Sequence, residues 1–310
     1  MRRDKNFVAA DLIRQVIEHK DYTVTDSSQG INVKKKVHLS LNKPSTTAPG
    51  KIALFGSGEM SPTGRRIHEY LIRDLAPPVK IALLETPAGY EDNPHQWYKK
   101  LAAMLTVGLQ NFKPEIIRIA ALRKDGKFST NTKGLVKPLL SADYIHTGAG
   151  SPSYVIKHLG NSLAYYYLVK CHHQGIPLSF ASAAAIAMSS FALPVYEMYF
   201  VGEDPFWQTG LNFFKTWDLN LVIIPHWNNT EGGAEIDTSR CYVGKKRFKK
   251  LLGKLQPNQT IIGIDEQTAA VFDFAKQEIA VMGVGAVTLI KGNVKQVILS
   301  GAVVGMAELK

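Results

Sequence analysis

Two residues of this 310-residue chain have the types and settings of an attacking group and the base that would activate it. Ser182 ends the apolar run Leu178 to Ala181 and is followed by the small-residue stretch AAAIAM, Ala183 to Met188. His226 ends a second apolar run, LNLVIIP. A serine hydroxyl is a weak nucleophile until a neighbouring base takes its proton, and histidine is the side chain that titrates in the range this task requires. A sharp strand-to-helix turn with small neighbours is the setting of an exposed nucleophilic serine; Ala184 suits that turn on one side, while Phe180 does not on the other. The acid that orients the imidazole is expected between the two, where Glu197, Glu203 and Asp204 are available. Serine, acid, histidine is the chain order of α/β-sheet hydrolases. The plainer alternative is a packed serine and a satisfied polar histidine. On LSFASAAAIAM alone that alternative is the better one, and His226 is what shifts the balance.

Two glycine-bearing turns add to the picture. In GAGSPSY, Gly148 to Tyr154, glycines let backbone N–H groups approach a ligand, and the helix that opens there adds the positive end of its dipole, so the turn suits an anion or a developing oxyanion. The same residues also make an ordinary helix start, with Ser151 as N-cap and Pro152 behind it. Gly56-x-Gly58 follows a strand and precedes a helix, but position 61 is Ser rather than a third glycine. A tight turn beside a site explains it better than a dinucleotide fingerprint does.

These residues need a scaffold that brings strand ends together. From Lys51 onward apolar runs of strand length (KIALF, VKIALLE, EIIRIAAL, DYIHT, IPLSFA, LNLVIIP) alternate with helical segments, among them Arg65 to Leu75, about His95 to Leu105, and the basic stretch Lys245 to Leu255. The pattern predicts an α/β fold, a mostly parallel doubly wound sheet with helices on both faces. TIIGIDE, AAVFDF, EIAVMG, AVTLI and VKQVILSG then follow at close spacing with turn signals such as Lys291-Gly292-Asn293, predicting an antiparallel C-terminal extension. Ligands bind beyond the carboxyl ends of strands in such sheets. The residues so placed are Gly56 to Glu59, Glu85 to Ala88, Gly148 to Ser151, Ser182 to Ala185, His226 to Asn229, and Asp265-Glu266.

The first fifty residues read as a small helical appendage and linker, residues 1–50, ahead of a hydrolytic domain over 51–310. Phe7, Ala10, Ile13, Val16 and Ile17 recur at helical spacing, predicting an amphipathic helix over residues 4–20. NKPSTTAPG, Asn42 to Gly50, has the composition of a boundary.

Composition narrows the function classes. No run approaches the ~18 apolar residues of a membrane helix, and the charged start lacks the apolar core of a signal peptide, so the chain is read as soluble and cytoplasmic. Cys171 and Cys241 cannot make a disulfide framework, and Cys171-His172-His173 lacks the partner pair a zinc site needs, so no metal and no cofactor is expected. The net charge of +11 would attract nucleic acid or acidic ligands, yet the lysines are scattered and GKKRFKK lacks aromatic interleaving. Solvated faces are the favoured reading, and nucleic acid is not the expected partner. A homo-oligomer is left open.

Taken together, FGSGE, TGAGSPSY, ASAAAIAM, PHWNN and GIDEQTA, in this order from Lys51 to the C-terminus, resemble the S51 serine peptidases. That group holds aspartyl dipeptidase (dipeptidase E) and cyanophycinase, and its fold is related to class I glutamine amidotransferases. The resemblance implies Ser182 as nucleophile, His226 as base, and Glu197 as acid with Glu203 as its substitute. The backbone N–H groups of Gly150 and Ala183 would be the oxyanion donors. Ser151, Asn228 and Arg240 are the candidate substrate-binding residues; Arg240, like Lys245 and Arg247, is of a type to meet a substrate carboxylate, although all three could instead cap and solvate a helix. The implied activity is cleavage of a small peptide or isopeptide bond. The alternative is an inactive ligand-binding or regulatory descendant, because the family's glycines stand as Phe180 and Ala184 here. Separately, Arg2 to Lys35 is similar to the C-terminal tail of cysteinyl-tRNA synthetases, with none of the synthetase's catalytic or zinc motifs; a packing appendage is favoured there over an RNA-contacting one.

Overall fold

The computed structural model describes residues 22–27, 30–35 and 48–310. The chain divides into two compact units, Met1–Pro44 and Ser45–Lys310, a division that falls inside the Asn42 to Gly50 segment. In the first unit, strands β1 (Tyr22–Ser27) and β2 (Gly30–Lys35) pair antiparallel, Tyr22 opposite Lys35 and Ser27 opposite Gly30. The helix expected over residues 4–20 lies outside the described residues.

The second unit starts from β3 (Ile52–Phe55), whose four residues are all buried. Successive side chains of a strand point to opposite faces, so an unbroken apolar run needs cover on both. Ala53 and Phe55 accordingly meet α1 (Pro62–Ile72), which Ser61 caps by accepting the Gly64 N–H. On that face, β4 (Lys80–Leu84) turns Ile81 and Leu83 toward α2 (Pro94–Gly108) through Leu101 and Leu105. β5 (Glu115–Ile119) is followed by the short α3 (Lys133–Val136) and by β6 (Tyr144–Thr147). The other face, carrying Ile52, Leu54, Ala82 and Leu84, is covered by α4 (Pro152–Leu159) and α5 (Leu163–His173) through Val155, Leu159, Ala164 and Leu168. β7 (Leu178–Ala181) leads into the five-residue α6 (Ala183–Ala187), entirely buried.

After a small hairpin of β8 (Phe191–Ala192) and β9 (Gln208–Thr209) come β10 (Leu221–Ile224), the basic helix α7 (Gly244–Leu252) and β11 (Thr260–Ile264). Five closely spaced strands finish the chain: β12 (Thr268–Asp273), β13 (Glu278–Gly283), β14 (Ala286–Lys291), β15 (Val294–Leu299) and β16 (Val303–Gly305).

The strands form an eight-stranded sheet of order β16-β13-β12-β3-β7-β6-β4-β5 and a four-stranded sheet of order β10-β11-β14-β15. β3, β7, β6, β4 and β5 run parallel, whereas β12, β13 and β16 extend the large sheet antiparallel. The fold class is thus the expected one, with one difference in layout. LNLVIIP reads like the other parallel strands, yet β10 pairs parallel with β11 in the smaller sheet, which β14 and β15 complete antiparallel. A buried run reports that both of its faces are covered, and says nothing about which strand is its neighbour.

Phe180, the residue at odds with a working elbow in the sequence, is fully buried and meets the ring of Phe213 edge-on at 5.5 Å. Its bulk fills the core that includes Leu54 and Ala184, not the space around Ser182. Truncating a buried phenylalanine removes its transfer energy and leaves a cavity, so Phe180→Ala is expected to lower stability by about 3–5 kcal/mol, read as a shifted midpoint in urea unfolding.

Candidate active site

β7 ends at Ala181 and α6 begins at Ala183, leaving a single residue to make the turn. Ser182 makes it at φ 48°, ψ −112°, a conformation that costs a non-glycine residue on the order of 1–3 kcal/mol and persists only where its surroundings enforce it. Ala183, Ala184 and Ala185 are all buried at the helix start. The Ser182 N–H donates to the Phe55 carbonyl at 3.4 Å, tying the turn to the end of β3.

His226 lies beyond β10, also in the left-handed region at φ 49°. Its N–H donates to the Gly56 carbonyl at 3.1 Å, and Trp227 N–H donates to Ile264 O at 3.0 Å. The imidazole so held has Nε2 3.0 Å from Ser182 Oγ and Nδ1 3.1 Å from Glu266 Oε1. With Nδ1–H donating to the carboxylate, Nε2 carries the lone pair that accepts the serine proton. Glu266 is fixed in turn: Asn229 Nδ2 donates to the same Oε1 at 2.7 Å, and the Glu266 N–H donates to Asn228 Oδ1 at 2.8 Å. The hydrogen bond to His226, reinforced by that from Asn229, holds the Glu266 carboxyl below its ordinary range.

The carboxylate at Nδ1 is therefore that of Glu266, and Glu197 does not reach it. The reason lies in the smaller sheet. β10 and β11 are parallel neighbours, so the residues that follow them, His226 and Glu266, emerge at the same end. Glu197 instead opens a wide helical turn, Glu197–Val201, with its Oε2 buried and without a hydrogen-bond partner, while Glu203 and Asp204 are exposed. A signal for Glu266 was present in the sequence, in GIDEQTA at a strand's carboxyl end.

Gly150 and Ala183 line the same cavity as Ser182 and His226, together with Tyr196 and Tyr242. Gly150 sits at φ +149°, where a Cβ would come within 1.9 Å of the Pro87 carbonyl oxygen, so no other residue fits the turn. Of the three residues expected to bind substrate, none lines this cavity. Ser151 caps α4, accepting the Tyr154 N–H at 3.3 Å, and Asn228 holds the Glu266 backbone. Arg240 stacks its guanidinium 3.8 Å from the Trp227 ring centre and donates through Nη1 to the Trp227 carbonyl at 2.7 Å. Its planar fork is spent on packing. Arg240, Cys241 and Tyr242 form a run of three left-handed residues, anchored by Cys241 N–H donating to His226 O at 3.1 Å. That turn brings the Tyr242 ring to 5.9 Å from the imidazole.

Among the described residues no cluster of three or more His, Cys, Asp or Glu is arranged to hold a metal, and none of their helices is long and apolar enough to cross a membrane. His172 and His173 pack against Trp217, while the buried Cys171 thiol donates to Leu139 O.

No protein-family model matches the chain, and no curated protein does. Among solved structures, the chain is similar to a peptidase from an acI-B1 Actinobacterium, with 22% sequence identity and a TM-score of 0.66 over 83% of this chain and 97% of that one. A candidate Peptidase E protein from Listeria monocytogenes EGD-e aligns over 81% of this chain and 99% of its own, at 13% identity and a TM-score of 0.49. The first likeness establishes a shared fold.

Two carboxyls of the site titrate in opposite senses. Burial raises that of Glu59, on the turn after β3, so the stability linked to it is full below the ordinary carboxylate pKa and is lost as pH rises through the raised value. The depressed Glu266 contributes above the ordinary value, and its share is lost as pH falls through the lowered one. Relative to the parent, Glu59→Gln is expected to gain in melting temperature between pH 4 and pH 8. Glu266→Gln is expected to lose over the same interval; parallel profiles for the two variants would contradict these assignments.

Proposed function

We propose that the protein is a serine hydrolase of peptidase type that cleaves a small peptide or isopeptide bond through an acyl-enzyme on Ser182. The observation that carries this reading is the unbroken chain of contacts from Ser182 Oγ through His226 to Glu266, at 3.0 and 3.1 Å. As Oγ attacks the substrate carbonyl carbon, Nε2 takes its proton. Glu266 keeps the imidazole in the Nδ1–H tautomer and balances the charge that forms on it. The carbonyl oxygen, now an oxyanion, is received by the N–H groups of Gly150 and Ala183, a donor pair in which each member is worth roughly 3 kcal/mol. Nε2–H then passes the proton to the leaving nitrogen as the C–N bond breaks, and a water activated by the same base releases the acyl group.

The likeness in fold to a peptidase agrees with this reading, as does the resemblance of the five sequence landmarks to the S51 family. In place of that family's expected acid at Glu197, the role falls to Glu266. We read residues 2–35, similar to the synthetase tail, as an appendage outside the chemistry.

A fluorophosphonate probe tests the proposal. It should phosphonylate Ser182, identified by peptide mapping. His226→Ala should slow labelling by about 10²–10⁴-fold, the usual worth of a general base. Glu266→Gln should slow it in the same direction, and Glu197→Gln should leave it unchanged. A protein that stays unlabelled while a control serine hydrolase reacts would instead be a silent binding protein of this fold.

A further inference from the structure

Beside Ala149, which also lines the Ser182 cavity, a narrow second chamber runs toward the interior, walled by Leu83, Leu84, Trp97 and Leu101. Four ionisable side chains line it: Glu59, Glu85, Tyr98 and His146. Glu85 is spoken for, because Arg118 Nε and Nη2 donate to its two carboxylate oxygens at 2.6 and 2.9 Å. His146, only 1% exposed, leaves its Nε2 atom without any partner.

The proton state of that nitrogen follows from a buried hydrogen-bond relay. His68 Nε2 lies 3.0 Å from the Glu59 carbonyl oxygen, which can only accept, so Nε2 carries the proton. Burial lowers the His68 pKa to about 4, keeping the ring neutral, and its Nδ1 is therefore an acceptor. Nδ1 contacts the Tyr144 hydroxyl, which must spend its one proton there. The Tyr144 oxygen then accepts from Ser179, with which it is also in contact. Having given its proton to Tyr144, Ser179 Oγ accepts from His146 Nδ1 at 2.7 Å. His146 is buried and neutral as well, its pKa held well below the ordinary value, so a proton on Nδ1 leaves a bare lone pair on Nε2. A buried acceptor without a donor costs roughly 1–3 kcal/mol. Glycine at 148 keeps access to that lone pair, since a Cβ there would come within 3.3 Å of Nε2.

The lone pair calls for a donor, and Glu59 decides which kind. The residue is buried at 7% exposure, and that burial raises its carboxyl pKa, favouring the form that has an O–H donor and a carbonyl acceptor over a counter-charge. A carboxylate ligand has no proton to give the Nε2 lone pair and meets no free cation, since Arg118 is committed to Glu85. An ammonium would enter apolar walls without a free anion. We infer that this chamber is the side-chain subsite of the Ser182 centre and takes an uncharged carboxamide, that of asparagine or glutamine, whose NH2 donates to His146 Nε2 and whose C=O accepts from Glu59. Its place in the reaction rests on the serine-hydrolase reading above; its chemistry as a binding site does not.

The test is imidazole ¹⁵N NMR of the full chain carrying Ser182→Ala, which cannot turn substrate over. In the free protein His146 should show a protonated Nδ1 and an unprotonated Nε2. Nα-acetyl-asparagine should move the Nε2 resonance, with an affinity at least tenfold, about 1.4 kcal/mol, above that of its isostere Nα-acetyl-aspartate. Gly148→Ala should abolish the response while leaving the tautomer as it was. A protonated Nε2 in the free protein, an equal response to aspartate, or no response to asparagine up to its solubility would each overturn the inference. Fluorophosphonate labelling of the parent separates the two readings. If Ser182 labels and Nε2 stays silent, only the subsite fails; if Nε2 responds in a protein that never labels, only its place in a hydrolase fails.

Discussion

Two successive carbonyl groups at the end of β3 hold the site together. Phe55 O receives the N–H of Ser182, and Gly56 O receives that of His226. The serine belongs to β7 of the large sheet, while the histidine follows β10 of the smaller one. The two strands lie in different sheets, and these two hydrogen bonds act with those that tie Ser189 and Ser190, after α6, to Ile223 and Leu221 of β10. Gly56 is where the sheets meet: its own N–H donates to Thr268 O at 2.8 Å, and a Cβ at this position would come within 2.0 Å of the Asp265 carbonyl oxygen. The glycine that resembles the start of a dinucleotide loop is a joint that allows close approach of two backbones. Because Asp265 precedes Glu266, the same joint fixes the carboxylate as well.

Backbone strain gathers around this joint. Ser182, His226 and the run Arg240 to Tyr242 all occupy the left-handed region. Residues other than glycine pay conformational energy to be there, and local hydrogen bonds are what hold them. In return Ser182 presents its hydroxyl at the helix start of α6, beside Gly150, with the imidazole already at hydrogen-bond distance. Preorganisation of this kind spares a reacting system the reorientation that water would require.

Much of this was legible in the sequence, and the losses have physical causes. Alternation of buried runs with amphipathic helices pointed to the parallel sheet, and the rule that ligands sit beyond strand ends drew Ser182, His226, Gly150 and Glu266 into one set. Chain order points to the loop between serine and histidine, where Glu197 and Glu203 stand, and so away from Glu266. What sequence does not carry is that β10 and β11 are parallel neighbours, and that pairing is what brings Glu266 to the imidazole. Phe180 looked like a misfit because a tight elbow disfavours bulk nearby. Its side chain leaves toward Phe213 and the core instead. Arg240 had the right chemistry for a carboxylate, but a guanidinium beside an indole finds a nearer partner in Trp227.

The identity of the carboxylate that faces His226 decides the site. A histidine Nδ1–H held by a carboxylate exchanges slowly enough to give a low-field proton resonance, which can be followed in the intact protein without a substrate. Such a resonance, assigned to His226, is expected in the parent chain and in Glu197→Gln, and should be shifted or lost in Glu266→Gln. Its survival in Glu266→Gln together with its loss in Glu197→Gln would contradict the site described here.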